Sequence, residues 1–193
     1  MNLDMHTSRL SLSPLTPDDI DLSIKLWTDP KVAHFNGGVA TEAELRREMP
    51  LTTRRGASGT IGIWCVTDRD SGAKIGSTYL LPLPTTQPDV DYASLEPGTR
   101  PAGDIELGYF LTPSAWGCGL ATEISRRMLR FAFETAGLDD VVAAVHADNV
   151  ASKRVLAKAG FSYEGIVPCW GESYPLYRLS SEDWSAQQAP VSR

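Results

Sequence analysis

Apolar residues in this chain switch between a period of two and a period near 3.6, and the switches divide it into short strands and helices. Alternation from Arg9 to Leu15 predicts a first strand, and Thr16-Pro17-Asp18-Asp19 opens a helix with an N-cap, a first-turn proline and acids at its positive end. Ile20, Ile24 and Trp27 fall on one face of that helix, which Asp29-Pro30 ends. Lys31 to His34 makes one further turn before Asn36-Gly37-Gly38, and the capping-box pattern Thr41-Glu42-Ala43-Glu44 starts a helix reaching about Met49. Gly62 to Thr67 and Lys74 to Leu81, joined by a glycine-bearing turn, predict a β-hairpin. Later come a strand from Asp104 to Leu111, a helix from about Gly119 to Ala136 and a strand from Val141 to His146. A helix then runs from Asn149 to Ala159, and a second hairpin from Phe161 to Val167 and Tyr174 to Ser180 has Gly171-Glu172 near its tip.

The strand-to-helix turn Trp116-Gly117-Cys118-Gly119-Leu120-Ala121-Thr122-Glu123 is where chemistry first enters. Unpaired N–H groups at a helix N-terminus, with the helix dipole behind them, make a turn of this kind a phosphate cradle. No Lys-Ser or Lys-Thr follows the glycines, and the three-glycine dinucleotide spacing is absent. Two glycines also suit a plain tight turn that packs a helix on a sheet.

The next segments make the pattern specific. Trp116-Gly117-Cys118-Gly119-Leu120-Ala121 is followed by Asn149-Val150-Ala151-Ser152, by Leu156, and by Gly160-Phe161 and Glu164-Gly165. This combination resembles the GCN5-related N-acetyltransferases (GNAT), and within them the RimJ/RimL type. The resemblance extends from Thr7–Leu12 to Tyr177–Trp184 and is densest from Asp104 to Gly165. It implies an α/β (α+β) single domain over residues 1–184, with a mixed, mostly antiparallel sheet of about seven strands, flanking helices and splayed central strands. It also implies acetyl-CoA as cofactor. Backbone groups of Phe110, Leu111 and Thr112 would pair with the pantetheine arm, and the amides of Gly117, Cys118, Gly119, Leu120, Ala121 and Thr122 would hold the pyrophosphate. Asn149 would bond the arm, although its position also suits a helix N-cap. A basic residue is frequent in the family where this chain has Cys118, so one side-chain contact to phosphate is missing.

Acetyl transfer to an amine needs a base for the ammonium and a donor for the departing thiolate. Glu106, a carboxylate among apolar strand residues on the face it shares with Gly108 and Phe110, is the leading base. An edge or solvent-facing glutamate is the plainer alternative. Family members often place a tyrosine seven residues after the asparagine, but here that residue is Leu156; the RimJ/RimL resemblance points to Ser152 as the acid, against a plain capping role. Glu172 is a second carboxylate candidate. His146 and His34 are weaker ones, and Trp27, Trp64 and Trp170 suit core or cavity wall better than a stacking box.

The 193 residues suit one domain, and 24 acidic against 18 basic side chains, net −6, argue against nucleic acid and favour cationic partners. Five prolines between positions 82 and 103 mark an insertion that is either a tolerated surface loop or an acidic flap over the acceptor. Residues 185–193 have little to bury and read as a mobile tail. Three scattered cysteines give neither a disulfide framework nor metal-ligand spacing, and with no basic leader or long apolar run the sequence predicts a cytoplasmic protein with no membrane partner. A monomer and a homodimer are equally compatible. The resemblance favours a peptide or protein α-amine as acceptor, while charge favours a small-molecule amine such as an aminoglycoside, polyamine or amino acid. Cys118 and Leu156 leave open a third class, an acyl-CoA sensor without turnover.

Overall fold

The alternating segments become strands of one sheet in a computed structural model that describes residues 2–189. The strands are β1 (Met5–His6), β2 (Leu10–Pro14), β3 (Gly62–Asp68), β4 (Lys74–Pro82), β5 (Ile105–Leu111), β6 (Asp140–Ala144), β7 (Ser162–Cys169) and β8 (Glu172–Ser180). Their spatial order is β1-β2-β3-β4-β5-β6-β8-β7. Eight strands replace the expected seven because two-residue β1 pairs with β2 through Met5↔Leu12 and His6↔Ser11, too short a segment to show a period. The helices are α1 (Ile20–Trp27), α2 (Pro30–Ala33), α3 (Glu42–Thr52), α4 (Leu120–Glu134), α5 (Val150–Ala159) and α6 (Ser181–Gln188).

Every neighbouring pair is antiparallel except β5 and β6, which the α4 crossover makes parallel. Their register is a single pair, Glu106↔Val142. Beyond it the two strands separate, opening the expected splay in the middle of the sheet. One face buries Trp64, Val66, Leu107 and Val141 against Ile124, Met128 and Leu129 of α4. The other buries Leu15 and Cys65 against Leu22 and Leu26 of α1 and Met49 of α3.

The proline-rich stretch is stitched to the body. Val90 and Leu95 are buried in the main core, and the Ala57 amide bonds the Glu96 and Thr99 carbonyls at 3.2 and 3.0 Å. Those bonds come from a turn in which Ala57 and Ser58 hold positive φ of 49° and 58°. Non-glycine residues adopt that region at a cost that the surrounding contacts must offset. Leu95→Ala is expected to lower stability by about 2–4 kcal/mol, as for any large-to-small core change; thermal denaturation checks it, and an unshifted midpoint would mean the stretch is not anchored.

The predicted tail begins as helix. Ser180 caps α6 by accepting the Asp183 amide at 3.0 Å, and Gln187 donates to the Gly160 carbonyl at 3.2 Å. Residues 185–188 are therefore structured, while 190–193 lie outside the described residues. Among the described residues no helix is long and apolar enough to cross a membrane.

Candidate active site

Glu106 sits at the point where the splay begins and is 2% exposed. Past the Glu106↔Val142 pair the Ala144 amide has lost its strand partner, and Glu106 Oε1 takes it at 3.0 Å. The carboxylate thus fills a place that ladder geometry leaves empty. Oε2 accepts from the Tyr79 hydroxyl at 3.3 Å. Burial pushes the Glu106 carboxyl up to about 7, outweighing the Ala144 amide, Tyr79 hydroxyl and Trp170 indole that pull it down. Tyr79, raised well above its ordinary value by burial and by the Glu106 charge, stays a protonated donor.

Tyr79 reaches Glu106 because the residue across from it is Gly108. A Cβ there would lie 2.0 Å from Tyr79 Cζ. The ring crosses the strand at this position and lies along Phe110 with centroids 6.0 Å apart. The sequence places Glu106, Gly108 and Phe110 on one face, but Tyr79 was not among its site residues. A glycine in mid-strand is the signal that marks such a close approach.

On the opposite face of β5, Tyr109 donates to Ser152 Oγ at 3.2 Å. Asn149 caps α5, its Oδ1 accepting the Ser152 amide at 3.0 Å, which leaves the Asn149 NH₂ group for other partners. Leu156 is buried at 4% exposure and supplies no hydroxyl. Glu106 and Ser152 therefore approach the gap from opposite sides of one strand.

The backbone of β5 divides its groups by residue. Thr112 donates to the Ile75 carbonyl at 2.9 Å and Phe110 is in register with Ser77, so these two turn their amides toward β4. Alternation turns the amides of Tyr109 and Leu111 toward the gap, while the Leu111 carbonyl accepts the Trp116 indole at 2.8 Å. Of Phe110, Leu111 and Thr112, which the sequence singles out, only Leu111 turns its amide toward the gap, with Tyr109 beside it; a one-residue choice of this kind is fixed by register, which sequence does not display.

At the turn, Gly117 and Gly119 hold φ of 75° and 78°, and Gly119 begins α4 with no side-chain cap. By contrast Thr41, Asn149 and Ser180 cap α3, α5 and α6. The first amides of α4 are left for an external acceptor, and Gly117, Gly119, Leu120, Ala121 and Thr122 line the cavity. Cys118 does not, and its thiol donates to the Trp116 carbonyl at 3.3 Å. Arg9, which the sequence reading passed over, holds the turn from outside: Nη1 donates to the Cys118 carbonyl at 3.0 Å and Nε to Glu123 Oε2 at 2.7 Å. Burial would raise Glu123, but hydrogen bonds from Thr7 and Arg9 bring it below its ordinary value. Arg9→Ala is expected to raise the Kd for acetyl-CoA about three- to tenfold with kcat little changed, since a partly exposed charged bond is lost and the amides remain; calorimetry checks this, and an unchanged Kd would mean the clamp is idle.

Both halves open into one cavity of about 1390 Å³. Its far half is lined by Trp27, Phe35, Tyr92, Trp170 and Tyr174, with carboxylates Glu44, Glu48, Asp89, Glu106 and Glu172. Trp64 lies wholly in the core. His34 and His146 line the cavity too; His146 Nδ1 accepts the Asp148 amide at 3.1 Å and its ring packs 5.1 Å from Phe35. The insertion contributes Pro88, Asp89 and Tyr92 to the wall, so it is part of the cavity rather than a remote surface loop.

A splayed parallel pair, an uncapped glycine turn at a helix start and a buried carboxylate beside the gap define an acyl-transfer site built to take an extended, phosphate-bearing carrier. Residues 9–162 match the acetyltransferase (GNAT) domain, and the chain belongs to that family. It is 28% identical to the FsC-acetyl coenzyme A-N(2)-transacetylase of Aspergillus fumigatus over 96% of this chain and 80% of that protein. It is also 28% identical to the uncharacterized N-acetyltransferase YoaA of Bacillus subtilis, over 84% and 85% of the two chains. Among solved structures, an acetyltransferase from Agrobacterium tumefaciens superposes with a TM-score of 0.73 at 21% identity, covering 94% of this chain and 96% of that one. AAC(6')-Ib in complex with ribostamycin and coenzyme A superposes with a TM-score of 0.75 at 16% identity, covering 94% and 99%. The protein is an acetyl-CoA-dependent N-acetyltransferase. Its uncapped α4 amides fit a pyrophosphate, and the gap-facing amides of β5 fit an extended amide-bearing arm.

Proposed function

We propose that this N-acetyltransferase acts on a small amine bearing more than one positive charge. The observation carrying this reading is that Glu48 from α3, Asp89 from the insertion and Glu106 from β5 line one cavity together with Tyr92, whose hydroxyl is pushed up by burial first and then by the charges of Asp89, Glu48 and Glu106. Three carboxylates from three elements, under a wall supplied by the insertion, suit a compact polycation better than one amine at the end of a peptide. The fold accommodates such an acceptor, since AAC(6')-Ib is an aminoglycoside acetyltransferase solved with ribostamycin beside coenzyme A. The alternative, a peptide or protein α-amine, rests on the RimJ/RimL character of the 116–121 and 149–161 segments. The free thiols of Cys65, Cys118 and Cys169 fit a reducing compartment such as the cytoplasm.

Acetyl-CoA supplies the acetyl group as an activated thioester. Glu106 takes the proton of the acceptor ammonium, its pKa near 7 matching a base that works at neutral pH. Ser152 donates a hydrogen bond to the departing sulfur, which leaves as the thiolate and takes its proton from solvent, as the proton on Glu106 returns to solvent, and the Leu111 and Tyr109 amides hold the carrier in the gap. Asn149 offers its NH₂ group to the same carrier.

Incubation with a panel of diamines, aminoglycosides, amino acids and Ala- or Ser-starting peptides, read by mass spectrometry and thiol release, tests the acceptor class. Acetylated polycations with untouched peptides are expected. Acetylation of peptides alone would overturn this reading and leave the α-amine alternative.

A further inference from the structure

The hydroxyl of the second tyrosine of the site, Tyr109, has a partner of its own. Tyr109 and Ser152 are 43 positions apart, yet their hydroxyls meet at 3.2 Å inside the cavity that both line. The direction of the bond matters. Ser152 already uses its amide on Asn149, and its oxygen accepts from Tyr109. A hydroxyl that accepts a hydrogen bond is a better donor of its own hydrogen, because the two bonds polarise each other. Its hydrogen is also excluded from the side where Tyr109 sits.

We infer that Tyr109 is the positioning residue of the acid: its hydroxyl donates to Ser152 Oγ and turns the Ser152 hydrogen toward the sulfur of the carrier. This rests on the role proposed for Ser152. No proton need leave Tyr109, which acts by hydrogen bonding alone; burial holds its hydroxyl above the ordinary tyrosine value, so it remains a donor across the working pH range. The chain thereby obtains, from the strand side, an aromatic hydroxyl that the helix position Leu156 does not provide. Tyr109 also offers its backbone amide to the gap, so one residue contributes both a main-chain contact and a side-chain contact to the same part of the site.

Tyr109→Phe keeps the ring and removes the one atom at issue. Three quantities decide: kcat, the Kd of acetyl-CoA, and the pKa of the thiol of bound coenzyme A followed by its thiolate absorbance. Donation from Ser152 stabilises the thiolate and lowers that pKa below the value in free coenzyme A. The expected result is a kcat about tenfold lower, as for loss of one hydrogen bond, with Kd unchanged and the bound thiol pKa moved back toward the free value. Ser152→Ala should produce the same shift, larger, and the double variant should be no worse than Ser152→Ala alone. Full kcat and an unshifted thiol in Tyr109→Phe, with Ser152→Ala impaired, would overturn the inference and leave Ser152 standing. Normal kcat and thiol pKa in both single variants would remove the role of Ser152 as well. A Tyr109→Phe protein with a weaker Kd and lower melting temperature but an unmoved thiol pKa would reduce the bond to a strut between β5 and α5, and that too overturns it.

Discussion

Exchanging Glu106 for glutamine is expected to lower kcat about a hundred- to ten-thousandfold, the range for loss of a general base, while leaving acetyl-CoA affinity intact. Glutamine still offers an oxygen to the Ala144 amide, so the splay keeps its plug. In the native protein kcat/KM for the acceptor should rise with pH to a plateau with an apparent pKa of about 7, and that limb should vanish in the variant. Stability should move the other way. The folded pKa, about 7, lies above the ordinary glutamate value of 4.5. Below 4.5 both states hold the proton; as pH rises through 7 the folded carboxyl ionises in a buried site and its contribution is lost. Glu106→Gln should therefore be more stable than the native protein at about pH 8, by on the order of 3 kcal/mol, with the gap closing toward acid pH. Chemical denaturation at several pH values together with steady-state rates makes the test. A native-like kcat with an intact acid limb would remove Glu106 from the chemistry, whatever the stability data show.

Gly108→Ala is the second large effect. The added methyl would sit 2.0 Å from Tyr79 Cζ and 2.2 Å from its hydroxyl oxygen. Tyr79 would have to swing off Phe110 and release Glu106, so a loss of about 2–3 kcal/mol is expected from overpacking and the broken hydrogen bond. The Tyr79 bond lowers the Glu106 pKa, so its loss should carry the acid limb of the rate profile upward. Tyr79→Phe separates the two consequences: the limb should move up by a similar amount with a smaller stability loss. A Gly108→Ala protein with native melting temperature and native pH profile would show that Tyr79 is not held where its contacts place it.

Most elements were legible because their apolar residues repeat cleanly. The hairpin of β3 and β4, the strand holding Glu106 and the helix carrying Ile124 and Met128 all lie within a few residues of their predicted bounds. The glycine turn was legible for the same local reason, since a helix start with no capping side chain announces itself in consecutive residues. What failed to show were relations between distant segments. Arg9 clamps a turn 109 positions away, and Tyr109 meets Ser152 across 43. Whether Phe110 or Leu111 faces the gap depends on a register set by β4. The start of the predicted tail was misread because α6 has one large apolar residue, Trp184, which packs on Phe133 and leaves almost no period to see.

The single register pair between β5 and β6 also sets how the sheet should breathe. Tyr109 and Leu111 have extended backbones inside an eight-stranded sheet, yet past that pair, among the described residues, their amides have no neighbour strand to bond. In deuterated solvent they should exchange at rates typical of exposed loops, while the Phe110 amide between them, turned toward β4, stays protected. A ligand that lays its own amides along the gap would slow the outer two and leave the middle one unchanged. That odd-even signature would trace the seam, residue by residue, without any measurement of turnover.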